Sequence, residues 1–482
     1  MNPLHRVGKN TAAMALTHFL TPFISLALVF YMTKTAKLGP SVFGQYQIIM
    51  TFVGIFIPLS QFGLATLFIR DVARDKSAAG KYLVNGLVVV FVTSLCCMIA
   101  MGLILGFKYD HEVRILGWMI SLALLTGAAS AIGEALFRAH EKFELSACPL
   151  LVENLIRVGL AIWLLREGFG LRGVIWATVL ASIIRLVIVL ALVSRYISKL
   201  SFKIDPALCR MLATTGVYFV GLTFLSRIFW RVDMIMLSRI PVENSTLTLM
   251  EQVGIYGAAR KLLAVAFILP QSLGFALFPV VSRKHATGNG SLKCIVEIAV
   301  KSLFIVIMPI AIAITVLSPI IIDMFYGDKF VLAGRALQLL IWTRIPLCGI
   351  LVMSRVLLAS GNQKIDLRIN IVGVIGNILL NMALIPPYGY MGAGVATIIT
   401  LCMFLGLQWA FITKRLFKIE LGRDAAKLAF STAVMGAPLL LFRSQSTLWV
   451  LPLSLILYCA CIYMLRIVSK KDWQEVSASM EE

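Results

Sequence analysis

The sequence predicts an all-α polytopic membrane protein of about fourteen transmembrane helices, and three observations carry that prediction. Apolar segments recur from Thr11 to Arg466, many of them reaching the roughly 20 residues that one bilayer crossing needs. Hydrophobic residues make up 60% of the chain and charged residues 14%, against about 25% charged in a soluble domain. The mean hydropathy is +0.92. No period-two alternation points to a barrel, so helices must satisfy the backbone within the bilayer.

Taken in order, the spans fall near 11–33, 43–66, 82–105, 115–137, 146–165, 172–194 and 211–237. They continue near 253–280, 298–322, 332–358, 367–385, 391–413, 425–442 and 447–467. The first is read as a span and not a cleaved signal, because it is long and no A-x-A-like site follows it. An even number of crossings puts both termini on one side. That side collects 26 lysines and arginines and the other only 10, so both termini are expected in the cytoplasm. Lys76 and Lys284 should then be cytoplasmic, and Lys108 and Lys329 external. The net charge of +21 belongs to membrane-flanking loops on this reading, and no nucleic-acid partner is expected. The nine cysteines lie mostly inside apolar runs; no ligand spacing supports a metal and no disulfide framework is suggested.

Two blocks recur in register. Val42-Phe43-Gly44-Gln45-Tyr46 matches Gln252-Val253-Gly254-Ile255-Tyr256 at an offset of 210. Gly170-Leu171-Arg172-Gly173-Val174-Ile175-Trp176-Ala177-Thr178 matches the stretch from Gly389 to Thr397 at an offset of 219, with Gly170/Gly389, Gly173/Gly392, Ala177/Ala396 and Thr178/Thr397 identical. Glycines at such positions suit a tight turn into a closely packed helix. Six spans separate the copies, so the repeats share one orientation. Two parallel-related six-helix bundles follow, with two further helices outside the duplication. The expected division is a lobe at 1–198, a second at 199–420, and two helices with a tail at 421–482.

Charges inside the spans are the candidate functional groups, because an uncompensated arginine in a membrane helix costs several kcal/mol. Three pairs are i,i+4 and can neutralise locally: Glu134 with Arg138, Glu153 with Arg157, and Glu297 with Lys301. Arg227 and Arg231 are four apart in one span, with no acid three or four positions from Arg227. A continuous helix would stack them on one face. Arg260, Arg344 and Arg185 complete the candidate anion-binding set. Arg344 precedes Pro346, which should bend its span. For Arg231 and Arg260 the plain alternative is snorkelling to the outer headgroups. Asp233, Glu153 and His18 are candidates for ion coupling. No GxxxxGK[ST] loop is present, and the loops carry no exposed catalytic constellation. Transport without ATP hydrolysis leads, and neither an enzyme nor a cofactor is expected.

Several motifs carry a family likeness: Lys9-Asn10-Thr11, Leu38 through Tyr46, Phe62-Gly63-Leu64 before Arg70-Asp71, Val253-Gly254-Ile255-Tyr256 with Pro270 and Phe278-Pro279, and Gly389 through Gly394. With them the chain resembles the polysaccharide-biosynthesis flippases of the multidrug/oligosaccharidyl-lipid/polysaccharide exporter superfamily. The resemblance implies fourteen helices in two six-helix lobes plus two, and alternating access around a central cleft. It also implies a polyprenyl-pyrophosphate-linked oligosaccharide as substrate, moved across a bacterial cytoplasmic (inner) membrane by a monomeric unit. Membrane lipids, and a polysaccharide polymerase and glycosyltransferases of the same pathway, are the implied partners. Arginine suits such a substrate because its guanidinium can grip two phosphate oxygens. The competing readings are a cation-coupled multidrug exporter, a lipid II flippase for peptidoglycan precursors, and a membrane polymerase or ligase. The last would be expected to carry a large external catalytic loop, whereas the longest outer loop lies around Arg239 to Gln252.

Overall fold

The computed structural model describes residues 17, 19–197, 204–272, 291–420, 422–442 and 447–467. His18, Lys9-Asn10-Thr11, Phe278-Pro279 and Lys284 lie outside these. The described residues form helices and turns with no strand among them. Nine stretches among them are long and apolar enough to cross a membrane. Contacts divide the chain into two units, Met1–Ser238 and Arg239–Glu482.

The first unit begins with α1 (Phe19–Thr35) and α2 (Pro40–Ser60), which starts on a proline at N1 or N2. Proline is tolerated there because that N–H has no intrahelical partner. The second expected span then breaks: Phe62 and Gly63 take φ of +52° and +68°, and α3 (Leu64–Arg74) follows. α4 (Ala79–Lys108), α5 (His111–Ala139), α6 (Phe143–Arg166) and α7 (Gly170–Tyr196) come next. α5 is the axis of this unit, packing on α2, α3, α4, α6 and α7. Its buried Gly127, Ala128, Ala129, Ser130, Ala131 and Gly133 explain why: small side chains let helix backbones approach closely without a hydrophobic drive between helices. Around them Leu64, Phe68, Ile132, Phe137, Val189 and Val193 form one buried cluster.

The seventh expected span is not one helix. α8 (Pro206–Phe229) stops, Arg231 takes φ −137° and ψ −13°, and the short α9 (Val232–Leu237) restarts. Both pack on α2, so by contacts they join the first unit, although the repeat places this span at the head of the second lobe. Just before α8, the Asp205 carboxylate takes Lys81 Nζ at 2.8 Å and the backbone N–H groups of Ala207 and Leu208.

In the second unit α10 (Leu249–Ala266) opens with a capping box between Thr248 and Glu251. Next come α11 (Ser291–Tyr326), α12 (Val331–Leu340) and α13 (Arg344–Ala359), the last two joined by a 3-10 turn at Ile341–Thr343. The tenth span therefore tightens to a 3-10 turn just before Arg344, and Pro346 sits in the first turn of α13, where its missing donor matters least. α14 (Gln363–Arg415) contains Gly389 at φ +56°, ψ −133°. Asn377 Nδ2 reaches Thr400 Oγ1 at 3.1 Å, whereas 23 residues of straight helix would span about 35 Å. The two halves therefore fold back on each other at Gly389, as the eleventh and twelfth expected spans. Gly170 in the first unit has φ +56° as well, so the matched glycines share a conformation. α15 (Gly422–Leu441) and α16 (Thr447–Met464) pack together and on α11, where Tyr458 Oη donates to Ile305 O at 2.9 Å.

Candidate functional site

None of the three ion pairs expected from i,i+4 spacing forms as expected: one member of each turns to a charge on another helix, and the other keeps a partner close in sequence. Glu134 Oε1 accepts from Arg185 Nε at 2.9 Å and lies 2.8 Å from its Nη2. Glu153 Oε2 takes Arg185 Nη1 at 2.9 Å. Arg138 instead donates to the Glu134 main-chain oxygen at 3.4 Å, and Arg157 Nη2 donates to Asn154 Oδ1 at 2.6 Å. Lys301 pairs with Asp424 at 3.1 Å. Glu297 faces Lys293 at 3.9 Å and accepts from the Glu420 N–H at 2.7 Å. Buried, close-packed helices offer partners on neighbouring faces, and these satisfy charge with better geometry than a pair strung along one helix.

Arg185 therefore sits between two carboxylates brought by α5 and α6, with side-chain exposures of 14% for Arg185, 8% for Glu134 and 14% for Glu153. Its charge is answered by both of them. Glu153, a candidate for ion coupling, is half of that answer.

Arg344 and Arg260 are different. The Arg344 guanidinium lies over the Phe267 ring at 5.4 Å, and Arg260 lies over Tyr256 at 5.7 Å. The two arginines and Tyr256 are within electrostatic reach of one another. Arg344 Nε is buried with no hydrogen bond. Arg344 thus keeps a buried open donor on an aromatic ring beside a second positive charge.

The helix break changes the reading of Arg227 and Arg231. Arg227 is exposed near the end of α8. Arg231 turns onto α2, donating from Nη1 to Met50 O at 3.1 Å and lying against Gly54, where a larger residue would collide with it. The expected common face is lost because the helix that would create it stops at Phe229. Asp233 is 4% exposed, and its Oδ1 accepts from the Met234 N–H at 2.8 Å.

Two features escaped the sequence reading, one polar and one an apolar cavity. Asp366 Oδ1 accepts from Ser354 Oγ at 3.1 Å and Gln408 Nε2 at 2.7 Å. A cavity of about 230 Å³ opens beside the Lys301–Asp424 pair, walled by Val300, Phe304, Trp409 and Leu428. Neither had a signal in sequence, since the residues come from separate helices at irregular spacing.

Known proteins resemble this chain in sequence and in fold. The profile of the polysaccharide biosynthesis protein family matches residues 7–285, and that of the MatE family residues 232–383. The chain is 21% identical over 369 residues to the probable low-salt glycan biosynthesis flippase Agl15 of Haloferax volcanii, covering 75% of this chain and 74% of that protein. Its fold is similar to that of the lipid II flippase MurJ in an inward closed conformation, with a TM-score of 0.75 at 14% identity, covering 96% of this chain and 99% of that one. It is also similar to an inward-facing multidrug resistance MATE transporter of the MOP superfamily, with a TM-score of 0.67 at 16% identity, covering 83% and 98%. The structural likenesses show a shared fold, and the profile match extends over more than half of the chain: it belongs to the polysaccharide biosynthesis protein family.

Proposed function

We propose that this protein is a flippase that carries a polyprenyl-pyrophosphate-linked oligosaccharide from the cytoplasmic to the outer leaflet by alternating access, for surface polysaccharide assembly. The observation that carries the reading is the arginine pair Arg260 and Arg344 inside an apolar unit, with Arg344 Nε buried and unbonded. A pyrophosphate would satisfy the open Arg344 donor, and guanidinium grips its oxygens in pairs. Membership of the polysaccharide biosynthesis protein family and the relative named as a glycan biosynthesis flippase support this substrate class. Arg227, exposed at the end of α8, is proposed as a further contact for the passing phosphate.

The 26-to-10 bias of basic residues supports a cytoplasmic-membrane orientation with both termini inside. We also propose that 1–198 and 199–420 are related by rotation about the membrane normal, with 421–482 outside that symmetry. A polymerase and glycosyltransferases of the same pathway are the proposed partners. The fold likeness to MurJ favours one second reading, in which the cargo is lipid II; the pyrophosphate is common to both.

The test is reconstitution of the purified protein in vesicles holding labelled polyprenyl-pyrophosphate oligosaccharide or labelled lipid II. Appearance of label in the opposite leaflet is then measured. Protein-dependent movement of the oligosaccharide lipid supports the proposal. Equal movement with and without protein rejects it, and movement of lipid II alone selects the second reading.

A further inference from the structure

We infer that Arg157 is a phosphate-binding residue of the first unit, an assignment that rests on the flippase reading above. By sequence Arg157 is neutralised by Glu153 one turn earlier. The fold takes that partner away: Glu153 Oε2 is bound by Arg185 Nη1 at 2.9 Å. What Arg157 keeps is neutral. Its Nη2 donates to Asn154 Oδ1 at 2.6 Å, and Asn154, itself buried, is held by its Nδ2 on Leu150 O at 2.8 Å. One edge of the guanidinium is thus fixed in place by an amide that offsets none of its charge. The Nε is buried with no hydrogen bond. A guanidinium has five donors and no acceptor, and a donor held away from water without a partner is costly. A site that pins the group and leaves its charge open is arranged for an anion that comes and goes.

A second observation points the same way. Among the described residues, Arg157 and Arg344 are the two arginines whose Nε is buried and unbonded. Each lies within electrostatic reach of a buried tyrosine, Tyr46 for Arg157 and Tyr256 for Arg344. Tyr46 and Tyr256 are equivalent positions of the duplicated block. Both units therefore set an uncompensated arginine near the same repeat tyrosine. The second unit's arginine was visible in sequence because no acid lies nearby; the first unit's was hidden behind Glu153. The ligand chemistry is phosphate, presented by the lipid-linked pyrophosphate, by a free anion or by a phospholipid headgroup.

The experiment compares wild type with Arg157→Ala, Arg157→Lys and Arg344→Ala in vesicles. It measures flux per folded molecule, thermal unfolding, and binding of polyprenyl pyrophosphate, inorganic pyrophosphate and phosphatidylglycerol. Arg157→Ala is expected to weaken polyprenyl-pyrophosphate binding about tenfold or more, with flux falling alongside and unfolding unchanged. Arg157→Lys should recover part of the binding, because it keeps the charge and loses the fork. Loss of folded protein in proportion to flux, with binding per folded molecule unchanged, overturns the inference, as does unchanged binding and flux. Arg157-dependent binding of inorganic pyrophosphate or phosphatidylglycerol alone also overturns the substrate assignment. A wild type that moves no lipid-linked sugar fails the flippase reading instead, and leaves the Arg157-dependent binding to be judged by itself.

Discussion

Arg185 and Arg344 look alike in the sequence, each lying within an apolar span with no acid three or four residues away. The fold gives them opposite surroundings. Arg185 is held by Glu134 and Glu153, while Arg344 rests on Phe267 near a second arginine with its Nε unbonded. A membrane arginine is therefore defined by what neighbouring helices bring to it. The first ties three helices together, and the second keeps a buried donor unbonded.

The sharpest way to break this contrast is to remove each guanidinium and ask whether stability or transport fails. Arg185→Ala strands two buried carboxylates, and losing one partner of such a network costs about 3–5 kcal/mol. Thermal unfolding in detergent and folded yield should both fall. A variant that unfolds like wild type would mean that the two carboxylates do not need Arg185.

Arg344→Ala should do the reverse. Removing a buried unbonded donor leaves unfolding within about 1 kcal/mol of wild type. Flux of the lipid-linked sugar should drop about tenfold or more, from loss of a charged hydrogen bond to phosphate. Destabilisation comparable to that of Arg185→Ala would erase the distinction between the two residues.

The matched glycines allow a comparison of the repeats themselves. Gly389→Ala forces a side chain into φ +56°, ψ −133°, a strain of about 1–3 kcal/mol. It also drives the new methyl into Gln252 Oε1, which holds the Tyr390 N–H at 3.0 Å. Gly170→Ala meets the same φ of +56° with open space around it. Unfolding of the two variants should rank Gly389→Ala as the more damaging, and the opposite order would discount the Gln252 contact.

The smallest effect concerns pH outside the bilayer. Lys81, with the Leu208 and Ala207 N–H groups, holds the Asp205 carboxyl below the usual carboxylate range. A depressed folded value stabilises the fold above the unfolded value, near about 3.9, and the benefit is lost as pH falls through the folded value. Acid unfolding of Lys81→Ala compared with wild type should show a shallower loss across that window, and identical profiles would remove the pair from the acid response.

Much of this was legible in the residues. The positions of the spans follow from runs of apolar side chains, because each helix satisfies its own backbone in lipid. The turn at Gly389 was legible through its match to Gly170, since a backbone at positive φ selects glycine. The breaks at Phe62–Gly63 and Trp230–Arg231 were not. Apolar residues continue through both, and composition does not distinguish a straight span from an interrupted one.

By itself the sequence determined that this chain is a helical membrane protein, roughly where its described helices run, and which family it resembles. These are properties of single segments, set by local hydrophobicity and backbone conformation. Only the tertiary structure decided that Arg185 is neutralised, that Arg157 is not, and that Arg231 reaches α2 while Arg227 does not share its face. The reason is physical: a charge pairs with whatever lies within about 3 Å of it, and in a bundle that neighbour comes from another helix, at a sequence distance no local pattern encodes.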